Sequence, residues 1–166
     1  MPDFKADLSV SSLDQLLSDL KAYKKKVDEA PEKITARLAE IGEQAINANI
    51  AGITDLDGNA PGIVSVDIDG AHSVVSQAGE QIAYLEFGTG AQGANSPHPL
   101  AGDAGWQYNS GEHIRPTKNG KMMWRYYDRL KDHWRITDGI PAQRQVLEAA
   151  LLMRDSIPTV AKEVLK

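Results

Sequence analysis

The chain has 166 residues, 42% apolar and 25% charged, which are the proportions of one globular domain with a real core. Its formal charge of −5 speaks against a general nucleic-acid binder, which gains affinity by displacing counterions with Lys and Arg. Cysteine is absent, so disulfides and thiolate metal sites are excluded, and a reducing compartment is expected. The opening residues MPDFKADLSV lack a secretory signal's cationic start and apolar run, and no window nears the roughly 18 unbroken apolar residues of a membrane span.

Ser12-Leu13-Asp14-Gln15 reads as a capping box that opens a helix. Leu13, Leu16, Leu17, Leu20 and Val27 follow at helical spacing, opposite a polar face of Lys21, Lys24, Lys25 and Lys26. This leucine stripe lasts about two heptads, short of the three or four of a coiled coil, so it is expected to pack inside its own chain. Pro31 either kinks the helix or opens a second one. Ile34, Leu38, Ile41, Ala45 and Ala48 continue the stripe towards a stop at Gly52.

The period then changes to two. Val64, Val66 and Ile68 alternate with polar neighbours in 63–69, Asp69-Gly70 marks a hairpin, and a second strand runs from His72 to Gln77. A short apolar segment, Ile82 to Phe87, leads into a glycine-rich region. Met122 to Tyr127 and His133 to Thr137 read as two further strands, with Trp124 and Tyr126 facing Trp134 and Ile136 as cross-strand pairs. A C-terminal helix, bent at Pro158, carries Val146, Leu147, Ala150, Leu151, Ile157 and Val164. The predicted class is α+β, with N-terminal helices, about four mainly antiparallel strands, a long Gly-rich loop and a C-terminal helix. As one domain, 1–166, it divides into a helical region over residues 1–52, a sheet over 62–137 with loop 88–111, and a final helix over 140–166.

Gly88-Thr89-Gly90-Ala91-Gln92-Gly93 has the G-x-G-x-x-G spacing of a dinucleotide fingerprint. The fingerprint works only where its glycines lead from a buried strand into a helix N-terminus that meets the pyrophosphate. Here Pro97 and Pro99 follow closely, and Asp103 comes too early to serve as the ribose acid. No cofactor is expected. The segment Gly88 to Gly111 is long and poor in apolar anchors, so a neighbouring copy or partner is expected to order it. On that expectation, deleting Ala91 to Ser110 leaves the fold intact.

Within this segment, His98, Asp103, Glu112 and His113 are metal-ligand types without a recognised ligand spacing, and no metal is expected. Ser96, His98 and Asp103 are the residue types of a hydrolase triad, but three residues of one loop lack the rigid support that such a triad needs. A small hydrolase or metal-dependent enzyme using 88–113 is the rival reading, and a monomeric prophage-encoded binding module is the third. Trp106 and Tyr108 suit docking against a partner better than stacking on bases, which a duplex keeps inside its stack.

The run Ile82-Ala83-Tyr84-Leu85-Glu86-Phe87-Gly88-Thr89-Gly90 resembles the Glu-Phe-Gly-Thr signature of the neck, or tail-completion, proteins of long-tailed bacteriophages, described as minor head–tail connector or minor tail proteins. Downstream, Ser96-Pro97-His98-Pro99, Gly105-Trp106 with Tyr108, Met122 to Tyr126 with Trp134, Thr137 to Ala142 and a closing Val160-Ala161-Lys162-Glu163 resemble that family's pattern in order, over residues 35 to 166. One departure is Ala142-Gln143-Arg144-Gln145, where many members carry a Pro-Phe pair. The resemblance implies a non-enzymatic virion protein, a ring of about six copies between head-closure (connector) and tail-terminator proteins, with double-stranded DNA passing through it. The expected interface residues are Glu86, Phe87, Gly88, Thr89, Pro97, His98, Trp106 and Tyr108; either Phe87 fills a pocket between subunits with Glu86 capping backbone donors, or Phe87 sits in its own core and Glu86 in water. Its place would be the virion neck or tail, reached from the host cytoplasm.

Overall fold

The computed structural model describes residues 4, 5, 7, 9–53, 62–79, 81–108 and 113–166. It is an α+β fold: a long helix α1 (Val10–Ala51), a hairpin of β1 (Ile63–Asp69) and β2 (His72–Ala78), two short helices α2 (Ile82–Phe87) and α3 (Gly90–Asn95), a three-stranded sheet of β3 (Ile114–Pro116), β4 (Met122–Asp128) and β5 (His133–Thr137), and a closing helix α4 (Gln145–Leu165). Both sheets are antiparallel, ordered β1-β2 and β3-β4-β5. No helix among the described residues is long and apolar enough to cross a membrane.

α1 begins earlier than the capping box suggests. Ser9 is its N-cap, its side chain accepting from the Ser12 amide, while the Ser12 hydroxyl accepts from the Asp7 amide. A single helix passes through Pro31 and ends at Gly52. Proline removes one ladder bond there, and the packing that begins at Ala30 holds the helix together across the gap.

The core lies along the C-terminal half of α1, where Ala39, Gly42 and Ile46 are buried at helical spacing. Gly42 is the crossing point: a side chain there would run into Met153 of α4 and lie 3.3 Å from Val75 of β2. Asn49 donates to the Gln145 carbonyl at 3.3 Å, so α1 and α4 run antiparallel, with residue 49 level with 145 and 42 level with 153. By that register, α4 ends level with Ala30, and the first twenty residues of α1, about 30 Å of helix, project beyond it.

This changes the expected fate of the leucine stripe. Leu13, Leu17, Leu20 and Val27 are exposed, Leu17 by 51%, as is Val10 before them, and Leu16 is half-buried. The stripe is not intramolecular core, because α4 has only 21 residues against the 42 of α1.

The β1–β2 hairpin turns at Gly70-Ala71 with Gly70 at φ 55, and packs Val64, Val66 and Val75 against α1. In the second sheet the register pairs Arg125 with Ile136 and Tyr127 with Trp134. The expected pairing of Trp124 and Tyr126 with Trp134 and Ile136 is therefore off by one residue, which puts the two sets on opposite faces. Trp124 turns inward with Ile114, while Trp134 and Ile136 stay exposed. A four-residue connection, 129–132, sets this register. Asp128 organises it: its carboxylate accepts from the amides of Leu130 and Lys131 and from Arg135.

Candidate functional site

The residues expected to meet a partner converge instead where α2 reaches the start of α4. α2 stops at Gly88, φ 78, and the chain continues extended through Thr89 against the strap 138–142 that joins β5 to α4. The Thr89 amide donates to the Ile140 carbonyl at 2.8 Å, and its hydroxyl accepts from the Ile140 amide at 3.1 Å. The Gln92 amide reaches the Asp138 carbonyl, and the Gln143 amide reaches the Leu85 carbonyl. Two backbones thus run in direct contact, which accounts for the glycines. A Cβ on Gly88 would lie 2.6 Å from the Ala142 nitrogen, and one on Gly139, φ 94, would strike the Thr89 carbonyl. Close backbone approach replaces the phosphate cradle as the reason for the G-x-G-x-x-G spacing.

Glu86 is the centre of this node. It is 7% exposed, and its carboxylate accepts from the amides of Val146 at 2.8 Å and Leu147 at 3.0 Å, donors of the first turn of α4 that have no partner within the helix. Arg144, the N-cap of α4, supplies no side-chain cap, so Glu86 caps the helix from 60 residues away. The third ligand of the carboxylate is His98, 4% exposed, with Nε2 at 3.1 Å. The Leu100 amide donates to His98 Nδ1 at 3.1 Å, so the ring proton sits on Nε2 and is donated to Glu86.

The loop that follows is built into the same node. Trp106 donates from Nε1 to the Gly88 carbonyl at 3.0 Å and stacks on Phe87 with centroids 5.2 Å apart. The Tyr108 hydroxyl accepts from the His98 amide at 2.8 Å, and the Tyr108 carbonyl accepts from the Gly90 amide. Pro97 offers its carbonyl to Arg144. The expectation that a neighbour must order this loop is thereby corrected over 88–108. Its anchors are backbone bonds, one tryptophan and one tyrosine rather than an apolar run, and composition does not display them. Residues 109–112, with Glu112, lie outside the described residues.

The other loop candidates separate. Asp103 is exposed, Ser96 is half-buried, and among the described residues neither bonds to His98. His113 stacks on Trp124 with centroids 5.1 Å apart and approaches the Tyr84 hydroxyl, separated from His98 by the rings of Tyr84, Trp106 and Phe87. Among the described residues no three His, Asp or Glu side chains converge as a metal site would require.

Two cavities flank the node. One, of about 830 Å³, lies between the end of α1, α2 and the second sheet and is lined by Asn49, Tyr84, Trp124 and Tyr126 among others. The other, of about 510 Å³, borders the Glu86–His98 pair beside Phe87, Leu100 and Leu147.

Sequence reasoning missed the exposed aromatic face of the second sheet, where Trp134 is 52% and Ile136 56% exposed and the Arg125 guanidinium lies 4.1 Å over the Trp134 ring. Behind that face, burial raises the Asp128 carboxyl, but the Lys131 amide, the Arg135 guanidinium and the Lys131 ammonium outweigh it and hold the group below its ordinary value. The Tyr127 phenol donates to Asp132, which keeps it above its usual value. The signal for this face was the one-residue register, which strand periodicity alone leaves open.

No family model, curated protein or solved structure matches this chain.

Proposed function

We propose that the chain is a structural subunit of a tailed-phage virion, a neck or tail-completion protein that assembles as a ring of about six copies, joins the head connector to the tail and lines the DNA channel. The resemblance of Glu86-Phe87-Gly88-Thr89 to that family's signature suggests the class. The observation that carries the reading is the projecting half of α1, whose exposed Val10, Leu13, Leu17 and Leu20 follow at three- and four-residue spacing along one side of the helix. Contiguous exposed apolar surface on this scale marks a contact with another macromolecule. The Glu86–His98 pair is engaged on both ring nitrogens and all three carboxylate contacts, which describes a structural tie rather than a general base.

Native mass measurement with negative-stain imaging tests this, on the protein alone and co-expressed with its genomic neighbours. Rings of about six copies are expected, and Leu17→Asp with Leu20→Asp should leave a folded monomer that no longer joins them. A wild-type chain that stays monomeric in both settings overturns the proposal.

A further inference from the structure

Charge is segregated along this chain. Residues 38–114 contain ten Asp and Glu and no Lys or Arg, whereas residues 115–135 contain seven Lys and Arg against two Asp. Two of these acids, Asp67 and Asp69, and two of these bases, Arg115 and Arg125, stand on separate sheets. On the outer side of the first hairpin, Ile63, Ser65, Asp67 and Asp69 pair with Ala78, Ser76, Val74 and His72, and all eight are exposed. Asp67 and Asp69 make no ion pair among the described residues. On the outer side of the second sheet stand Arg115, Arg125, Tyr127, Trp134 and Ile136. Arg125 is spread over the Trp134 ring, and among the described residues Arg115 bonds only a backbone carbonyl of its own strand, that of Ile114.

We infer that the outer face of the β1–β2 hairpin of one copy docks on the outer face of the β3–β4–β5 sheet of the next. Asp67 and Asp69 meet Arg115 and Arg125, while Ile63 and Val74 cover Trp134 and Ile136. The inference rests on the ring reading and names the contact that closes the ring. Three physical arguments select this occupant. The first hairpin packs its inner side on α1, and Trp134 and Ile136 stand exposed on the second sheet, so both outer faces have surface left to offer. Trp, Tyr and Arg are the residues that concentrate binding energy when a partner desolvates them. Finally, either face set on its own copy would bring acid against acid or base against base, whereas pairing unlike faces attracts and permits the head-to-tail geometry that a ring needs.

The absence of cysteine allows a direct test. Asp67→Cys and Arg125→Cys are made separately, mixed and mildly oxidised. A disulfide-linked hetero-pair should form about tenfold faster in the mixture than homo-pairs form in either protein alone. In the full chain, Asp67→Lys with Asp69→Lys should weaken assembly about tenfold or more, as should Arg115→Asp with Arg125→Asp, and combining all four changes in one chain should restore it. Asp67, Asp69 and Arg115 are exposed and Arg125 is half-buried, and thermal melts of each variant check that its fold is intact. Rings that persist unchanged in the Asp67→Lys, Asp69→Lys variant, or mixtures with no preference for the hetero-pair, overturn this contact while leaving the ring itself standing. Wild-type protein without rings, alone or with its neighbours, overturns the ring reading and this contact with it.

Discussion

Glu86 and His98, twelve residues apart in sequence and both buried, form one bond that ties three chain segments together: Nε2 of the imidazole donates to a carboxylate that also caps α4. Removing the carboxylate leaves two helix amides and an imidazole N–H without acceptors in a buried place. Glu86→Ala should destabilise the chain by about 3 kcal/mol, since charge-assisted bonds contribute more than neutral ones and orphaned donors add their desolvation cost. Glu86→Gln keeps one acceptor oxygen and should cost roughly half as much. Urea midpoints of the two variants check the order. Equal and small effects would mean that the tie contributes little.

Gly139 offers a sharper geometric test. Its φ of 94 is open to glycine, and a methyl group would be driven into the Thr89 carbonyl. Gly139→Ala should cost about 3 kcal/mol or more, combining backbone strain with the separation of two bonded strands. Gly120, at φ 77 but with open space around it, should cost about 1 kcal/mol on the same change. Thermal melts of the two variants compare strain alone with strain plus collision.

The loop from 91 to 110 is expected to matter for folding. It carries His98, Trp106 and Tyr108, each bonded to the α2 region or to one another. Deleting it should abolish the cooperative unfolding transition, and Trp106→Ala alone should cost about 3 kcal/mol. A deletion that melts like the intact chain would show that the loop is an appendage after all.

Acid should act through Asp128. Its folded value lies below the ordinary 3.8, so its ionised form stabilises the fold above that pH, and the contribution disappears as pH falls through the lower folded value. Asp128→Asn keeps an acceptor for the turn amides but loses attraction to Arg135 and Lys131. The variant should be less stable than the parent by the same amount at pH 7 and pH 5, and the gap should narrow at about pH 3. A gap independent of pH would remove charge from the explanation.

Much of this architecture could be read from residue order. Alternation located β1 and β5 to the residue, Asp69-Gly70 announced the hairpin, and Gly52 marked the end of α1. These features depend on neighbours two to four positions apart, and local chemistry is enough to specify them. Glu86 was expected either to cap backbone donors of a neighbouring subunit or to stand in water. What no window of sequence contained was which donors: those of Val146 and Leu147, sixty positions away in the same molecule. The faces of Trp134 and Ile136 likewise depended on a register that one residue reverses. The exposure of Leu17 followed from the relative lengths and direction of two helices. Periodicity reports that an apolar face exists, but only packing between distant segments decides what covers it. That is why the elements were legible in the sequence, while the node around Glu86 and the two outward faces required the tertiary structure.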